Sequence, residues 1–243
     1  MRVRARYTKQ QKLRFVSAID LGRIWERALR KAMLPIGYSE GFTPHPKVSF
    51  PDALPLGYAS TGEYVELTFE VPVDLDVAVA AFNRAALDGL RILDATVVAE
   101  GAPRLAKWLR ASLWELRYPR DEIAALRDGV DALAHAEQIP VDRERKDIIT
   151  RLDLKPALHA IVVDGDTVRV VLHHTEPPFR PSEVHQALQA AVGATLREPA
   201  LIARVAQGSP EPGGIREALS GQLLPVTAGA HATAAGQTNR GTP

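Results

Sequence analysis

Along this chain the hydrophobic period switches from two residues to about 3.6 and back, and then does so a second time. Val3, Ala5 and Tyr7 alternate with Arg2, Arg4 and Arg6, the period of a strand with one apolar and one charged face. A short apolar piece at Leu13 to Val16 leads to Ser17, and Asp20 in the turn that follows completes an N-cap signature. Leu21, Ile24, Ala28, Leu29 and Ala32 then recur at helical spacing, with Arg23, Arg27, Arg30 and Lys31 mostly on other faces. Pro35 ends that helix, because proline lacks the amide donor and disfavours helix in the residue before it. Five prolines and two glycines between Leu34 and Pro55 predict an ordered, turn-rich excursion in place of a continuous element. Tyr64 to Val71 alternates again, with Val65, Leu67 and Phe69 on one face. A helix around Val77 to Ala85, closed by Asp88-Gly89, and a strand from Leu90 to Glu100 complete the first series.

Strand, helix, strand pair, helix, strand is the split βαβ or ferredoxin-like order, in which helices cover one face of an antiparallel sheet. The second half repeats it. Ser112 to Tyr118 reads as a strand, Arg120 to Ala136 as a helix, and Ile139 to Val141 as the start of an extended stretch. Leu158 to Val163 and Val168 to His173 flank Asp164-Gly165-Asp166, a hairpin signal. A helix opens at Pro181-Ser182-Glu183, and Leu201 to Ala206 is a last strand. The expected fold is therefore α+β, with two tandem ferredoxin-like (βαββαβ) halves: residues 1–105 and 106–208, joined near Ala102 to Arg110. Residues 209–243, rich in Ala, Gly, Thr and Pro, are expected to form a mostly disordered, low-complexity tail with at most a short helix at Ile215 to Leu223.

Composition excludes several kinds of chemistry. These 243 residues contain no cysteine, so they can form no disulfide, zinc-thiolate site or iron–sulfur cluster of their own. No apolar run approaches the roughly 18 residues needed to cross a bilayer, and the N-terminus alternates where a signal peptide would be apolar. A cytoplasmic location with no membrane partner is expected. Net charge is +1, yet residues 1–50 carry eleven Lys and Arg against three acids, a polarity suited to phosphate or to an acidic partner.

Gly37 to Lys47 is the densest group of special residues. Tyr38, Phe42 and His45 could stack on a base, Lys47 could neutralise a phosphate, and Gly41 allows a turn or close approach of a ligand. Ser39 and the basic residues Arg14, Arg23, Arg27 and Lys31 complete the expected binding set. His45 is the catalytic candidate, with Tyr38, Ser39, Glu40 or Lys47 as partners in general acid–base work. The glycine spacing fits neither a phosphate-binding P-loop nor a dinucleotide fingerprint. His173-His174 with His185 is not expected to bind metal, because adjacent strand histidines point to opposite faces. Lys146 to Arg151 reads as an edge strand protected by charge, and Trp25 and Trp108 as packing residues.

Leu13 to Leu21, Trp25 to Ala32, Tyr38 to Phe50, Leu54-Pro55-Leu56-Gly57 and Gly62-Glu63-Tyr64 together resemble the radical-SAM-linked protein family, a bacterial domain of unknown function. Asp147-Ile148 and Arg204-Val205-Ala206-Gln207 resemble its later motifs. Members are encoded beside, or fused to, a radical S-adenosylmethionine protein. The resemblance thus implies a radical SAM partner that would carry the iron–sulfur cluster, and no cofactor in this chain. One position departs from the family pattern: Ala18 stands where a histidine usually follows the serine that starts the first helix.

The expected function is a non-catalytic accessory or substrate-presenting partner of a radical SAM enzyme, with RNA as a candidate ligand of the basic surface. Two alternatives are a metal-independent ribonuclease centred on His45 and a plain protein-binding adaptor.

Overall fold

The charged row of the first strand finds partners on both sides. In the computed structural model, which describes residues 1–227, β1 (Arg2–Lys9) lies between β3 (Ala59–Thr68) and β4 (Ile92–Val97), antiparallel to both. Arg4 Nε donates to Glu66 at 3.0 Å, so an arginine only 1% exposed is paired across the strands. Val3, Ala5 and Tyr7 supply the apolar row. They pack with Val65 and Leu67 of β3 under α1 (Ala18–Lys31), whose Leu21, Ile24, Trp25, Ala28 and Leu29 are all buried. Ser17 caps α1 by accepting from the Asp20 N–H at 3.1 Å, as its spacing predicts. Leu13 to Val16 is not extended: Gln11–Phe15 form a 3-10 turn that feeds the helix. The short β2 (Val48–Ser49) pairs with β3, and α2 (Leu75–Ala85) adds Phe82 to the same core.

In the second half, β5 (Ala111–Arg117), α3 (Ile123–His135), β8 (Leu158–Asp164), β9 (Thr167–His173), α4 (Pro181–Val192) and β10 (Leu201–Glu211) build a separate core. It includes Trp114, Leu126, Val170 and Leu188. A hairpin of β6 (Pro140–Arg145) and β7 (Ile148–Asp153) interrupts the series between α3 and β8. Its turn carries Lys146 and Asp147 at positive φ.

Among the described residues the result is a mixed α/β fold with four helices and a mostly antiparallel sheet in the order β4-β1-β3-β10-β5-β9-β8. No helix among them is long and apolar enough to cross a membrane. The halves meet where β3 runs parallel to β10, Ala59 opposite Ala203 and Ser60 opposite Arg204. At this seam Gly62 leaves room that no other residue would: a Cβ there would lie 2.5 Å from the Ala206 Cα. Ser60 Oγ donates to the Arg204 carbonyl at 3.0 Å, and Gln207 Nε2 to the Gly62 carbonyl at 2.9 Å.

The tail expected from residue 209 is corrected in its first part. β10 continues to Glu211 and turns into β11 (Gly214–Glu217) and β12 (Leu223–Pro225), with no helix at Ile215 to Leu223. Ile215 and Val226 are buried against Ala111, Leu113, Val171 and Ala206, the face of the sheet that the helices leave bare. One glycine of this segment, which read as disorder, is required by close approach of backbones: a Cβ on Gly214 would collide with the Leu224 carbonyl oxygen of the facing strand. Disorder expected from about residue 225 onward is corrected at its start, where Pro225 closes β12 and Val226 is buried; the rest of that expectation falls on residues 228–243, outside the described residues.

Candidate functional site

The chain passes from the Gly37–Phe50 excursion into Pro51 to Pro55, a short strap over the seam. Phe50 anchors one end of it, edge-on to Trp25 and Tyr7 at ring centroid distances of 6.0 and 6.2 Å. Leu54 anchors the other end in the core of the second half. Cavities of about 340 and 400 Å3 lie on either side, and Asp52 lines both.

Beneath the strap, Arg204 holds three elements together. Its Nε and Nη2 donate to the two Glu63 oxygens at 2.8 and 2.6 Å, and its Nη1 donates to Asp52 Oδ2 at 2.5 Å. The guanidinium lies 5.3 Å from the Trp114 ring centre. Burial opposes its charge, but Glu63 and Asp52 more than offset that and raise its pKa above the ordinary arginine value. Fork-to-carboxylate geometry of this kind fixes orientation as well as charge.

The larger cavity is lined by Tyr7, Lys9, Ala18, Leu21, Phe50 and Glu63, among others. Lys9 follows Tyr7 across an irregularity in the β1–β3 register, the kind of bulge that re-aims a side chain. Burial lowers the Lys9 pKa, Glu63 works against that, and Arg204 adds to it. Tyr7 is held protonated well above the usual phenol range, by burial first and by the Glu63 carboxylate second.

The smaller cavity contains a serine–histidine pair. His174 Nδ1 lies 2.7 Å from the Leu109 carbonyl, which can only accept, so this nitrogen carries the proton. Nε2 is left to accept from Ser112 Oγ at 2.7 Å. Burial lowers the His174 pKa, which favours this neutral, accepting form. A hydroxyl bonded to an oriented neutral imidazole is the arrangement of a nucleophile with its base.

The residues expected from the sequence lie elsewhere. Tyr38, Ser39, Gly41, Phe42, His45 and Lys47 come together on a hairpin-like projection. In it Tyr38 bridges to Pro46, the Ser39 N–H donates to the His45 carbonyl at 2.8 Å, and the Lys47 N–H donates to Gly37 at 2.7 Å. Ser39 Oγ accepts from the His45 N–H at 3.0 Å. Phe42 at the tip is fully exposed, and among the described residues the His45 ring has no hydrogen-bond partner. Arg14 stacks on Phe15 at 4.7 Å, Arg23 pairs with Asp20 at 3.1 Å, and Arg27 and Lys31 are exposed on α1. None of these ten residues lines either cavity. Among the described residues no group of three or more His, Cys, Asp and Glu is placed to hold a metal ion. Trp25 is fully buried, whereas Trp108 is partly exposed and covers Arg4 at 4.4 Å.

Lys9, Asp52, Glu63 and Arg204 were not among the expected site residues, although Glu63 and Arg204 stand within the motifs that carry the family resemblance. Two also carried a local signal: Lys9 extends the row of Val3, Ala5 and Tyr7, and Glu63 the row of Val65, Leu67 and Phe69, so each puts a charge where the alternation calls for an apolar residue.

The sequence profile of a bacterial family, described as "Uncharacterized protein conserved in bacteria (DUF2344)", matches residues 2–197. No curated protein matches the chain. Among solved structures, one described as a microcompartments protein from Desulfitobacterium hafniense DCB aligns with 13% identity over 87% of this chain and 96% of its own. Its TM-score is 0.20, too low for a shared fold to be argued from it.

Proposed function

The chain belongs to the bacterial family DUF2344, and from that premise we propose that it is a binding module that holds a polar substrate under the Phe50–Leu54 strap and presents it to a radical SAM enzyme. The observation that carries this reading is the Arg204–Glu63 pair, buried between two cavities and capped by the exposed Asp52. Cavities of a few hundred Å3 with apolar walls and a few fixed polar groups are the usual form of small-molecule sites. The partner follows from the motif resemblance. With no cysteine in these 243 residues, an iron–sulfur cluster would belong to that partner, in the cytoplasm.

We also read each half as ferredoxin-like, with units at residues 1–105 and 106–208. The strand orders β4-β1-β3-β2 and β10-β5-β9-β8 support this reading, since each places the half's first strand between its third and fourth in the βαββαβ series.

The test is co-elution of the purified chain with the radical SAM protein encoded beside it, with and without cellular small molecules and RNA. A complex is expected. Separate elution under every condition removes the presenting role. A second reading, RNA binding at the projection, is favoured by the exposed Phe42 and Tyr38 beside Lys47.

A further inference from the structure

The larger cavity has an unusual balance of partners. Its two carboxylates already have donors: both Glu63 oxygens accept from Arg204, and Asp52 accepts from Arg204 through Oδ2 and from the Ala53 N–H through Oδ1, at 2.8 Å. Two of its own donors lack an acceptor. Lys9 is 1% exposed and Tyr7 2% exposed, and both line the cavity. Among the described residues neither the Lys9 ammonium nor the Tyr7 hydroxyl has a hydrogen-bond partner. Both groups face the cavity with no acceptor from this chain, so their donors are left to whatever occupies it.

A third donor group opens on the same space. Ala18, the first residue of α1, lines the cavity. Ser17 Oγ satisfies the Asp20 N–H, but among the described residues the N–H groups of Ala18 and Ile19 have no partner. Asp20, the acid of this turn, is turned to Ser17 Oγ and Arg23 on the exposed side. The first turn of a helix carries partial positive charge and donors that suit an anion.

We infer that this cavity binds an organic anion: a carboxylate or phosphate group received by the Lys9 ammonium, the Tyr7 hydroxyl and the opening turn of α1, with its carbon body against Leu21, Phe50 and Leu54. The inference deepens the substrate-holding role proposed above and rests on it, for it names the class of substrate. The lowered Lys9 pKa fits such a site, since an arriving anion restores the charged form and binding takes up a proton above the free-state pKa.

Two probes separate the sources of the anion: inorganic phosphate, and benzoate as a carboxylate with an apolar body. Titration of the intact chain carrying 13C-labelled lysine is expected to move the Lys9 resonance and to leave exposed Lys31 unmoved. Calorimetry is expected to show binding weakened about tenfold or more in Lys9→Met, the scale of a lost charge-assisted hydrogen bond, and less in Tyr7→Phe, which keeps the ring packing. Ala18→Pro removes one free N–H at a helix position that tolerates proline, and it too is expected to weaken binding. Stronger binding of benzoate assigns the carboxylate, and stronger binding of phosphate the phosphoryl group. Shifts confined to exposed lysines, or equal affinity in Lys9→Met, overturn the inference, and the resonance test stands even if that variant does not fold. The two proposals fail separately. Binding through Lys9 without co-elution keeps the anion site and removes the presenting role; co-elution with a silent Lys9 does the reverse.

Discussion

Arg204 and Glu63 are 141 residues apart in sequence, yet the guanidinium fork of one meets both oxygens of the other at 2.8 and 2.6 Å across the seam between β10 and β3. Both side chains are 3% exposed. Removing one member of such a pair strands the other away from water, which typically costs about 3–5 kcal/mol. Arg204→Met and Glu63→Leu are each expected to lower unfolding free energy by roughly that amount, and the double variant by less than the sum. Urea unfolding monitored by tryptophan fluorescence provides all the terms of the cycle.

Gly62→Ala tests the closeness of the same seam. The added methyl would sit 2.5 Å from the Ala206 Cα, so β3 and β10 must separate. A loss of about 1–3 kcal/mol is expected, as for other overpacked positions. A urea midpoint equal to that of the unmodified chain would contradict the parallel pairing.

Ile215 tests the return of the chain over the second face of the sheet. It is fully buried against Ala111, Leu113 and Ala206. Ile215→Ala should cost roughly 2–5 kcal/mol, the range for a buried aliphatic truncation. A tail without structure would register almost none of it.

His185 makes acid stability predictable. It is 4% exposed, lies 2.9 Å from the Tyr118 hydroxyl and stacks on that ring at 5.8 Å. Burial lowers its pKa from the ordinary 6.5, with Glu198 and Glu122 partly opposing the shift. The unfolded imidazole therefore takes up its proton first. Stability from this group is fully present above pH 6.5 and falls as pH drops from there through the folded pKa, by up to about 1.4 kcal/mol per pH unit. His185→Phe keeps the stack and should flatten that segment of a stability-against-pH curve.

The projection separates recognition from folding. Phe42 is fully exposed and His45 has no ring partner among the described residues, so Phe42→Ala and His45→Ala are each expected to change stability by no more than about 0.5 kcal/mol. If RNA is a ligand, Lys47→Ala lowers its affinity and reduces the salt slope by about 1, as loss of one phosphate contact requires. A filter-binding series in increasing salt measures both.

Periodicity made the order of elements readable, because the local burial of Val3, Ala5 and Tyr7, or of Leu21, Ile24 and Ala28, is decided within a few residues of each. The cavities were not readable in that way. Asp52 and Arg204 acquire their roles only through a contact spanning 152 residues, which no local pattern encodes. The projection drew attention because prolines and glycines are conspicuous, although its side chains face outward. Gly214 misled in the opposite sense, since a glycine required by close strand approach looks the same in composition as one in a flexible tail.

The strap has a mechanical consequence. Phe50 is seated among the aromatic rings of one core and Leu54 within the other, so the intervening residues are tethered to two bodies at once. A change in the angle between those bodies must reshape both cavities together, and a guest that props one of them open must bias that angle in return.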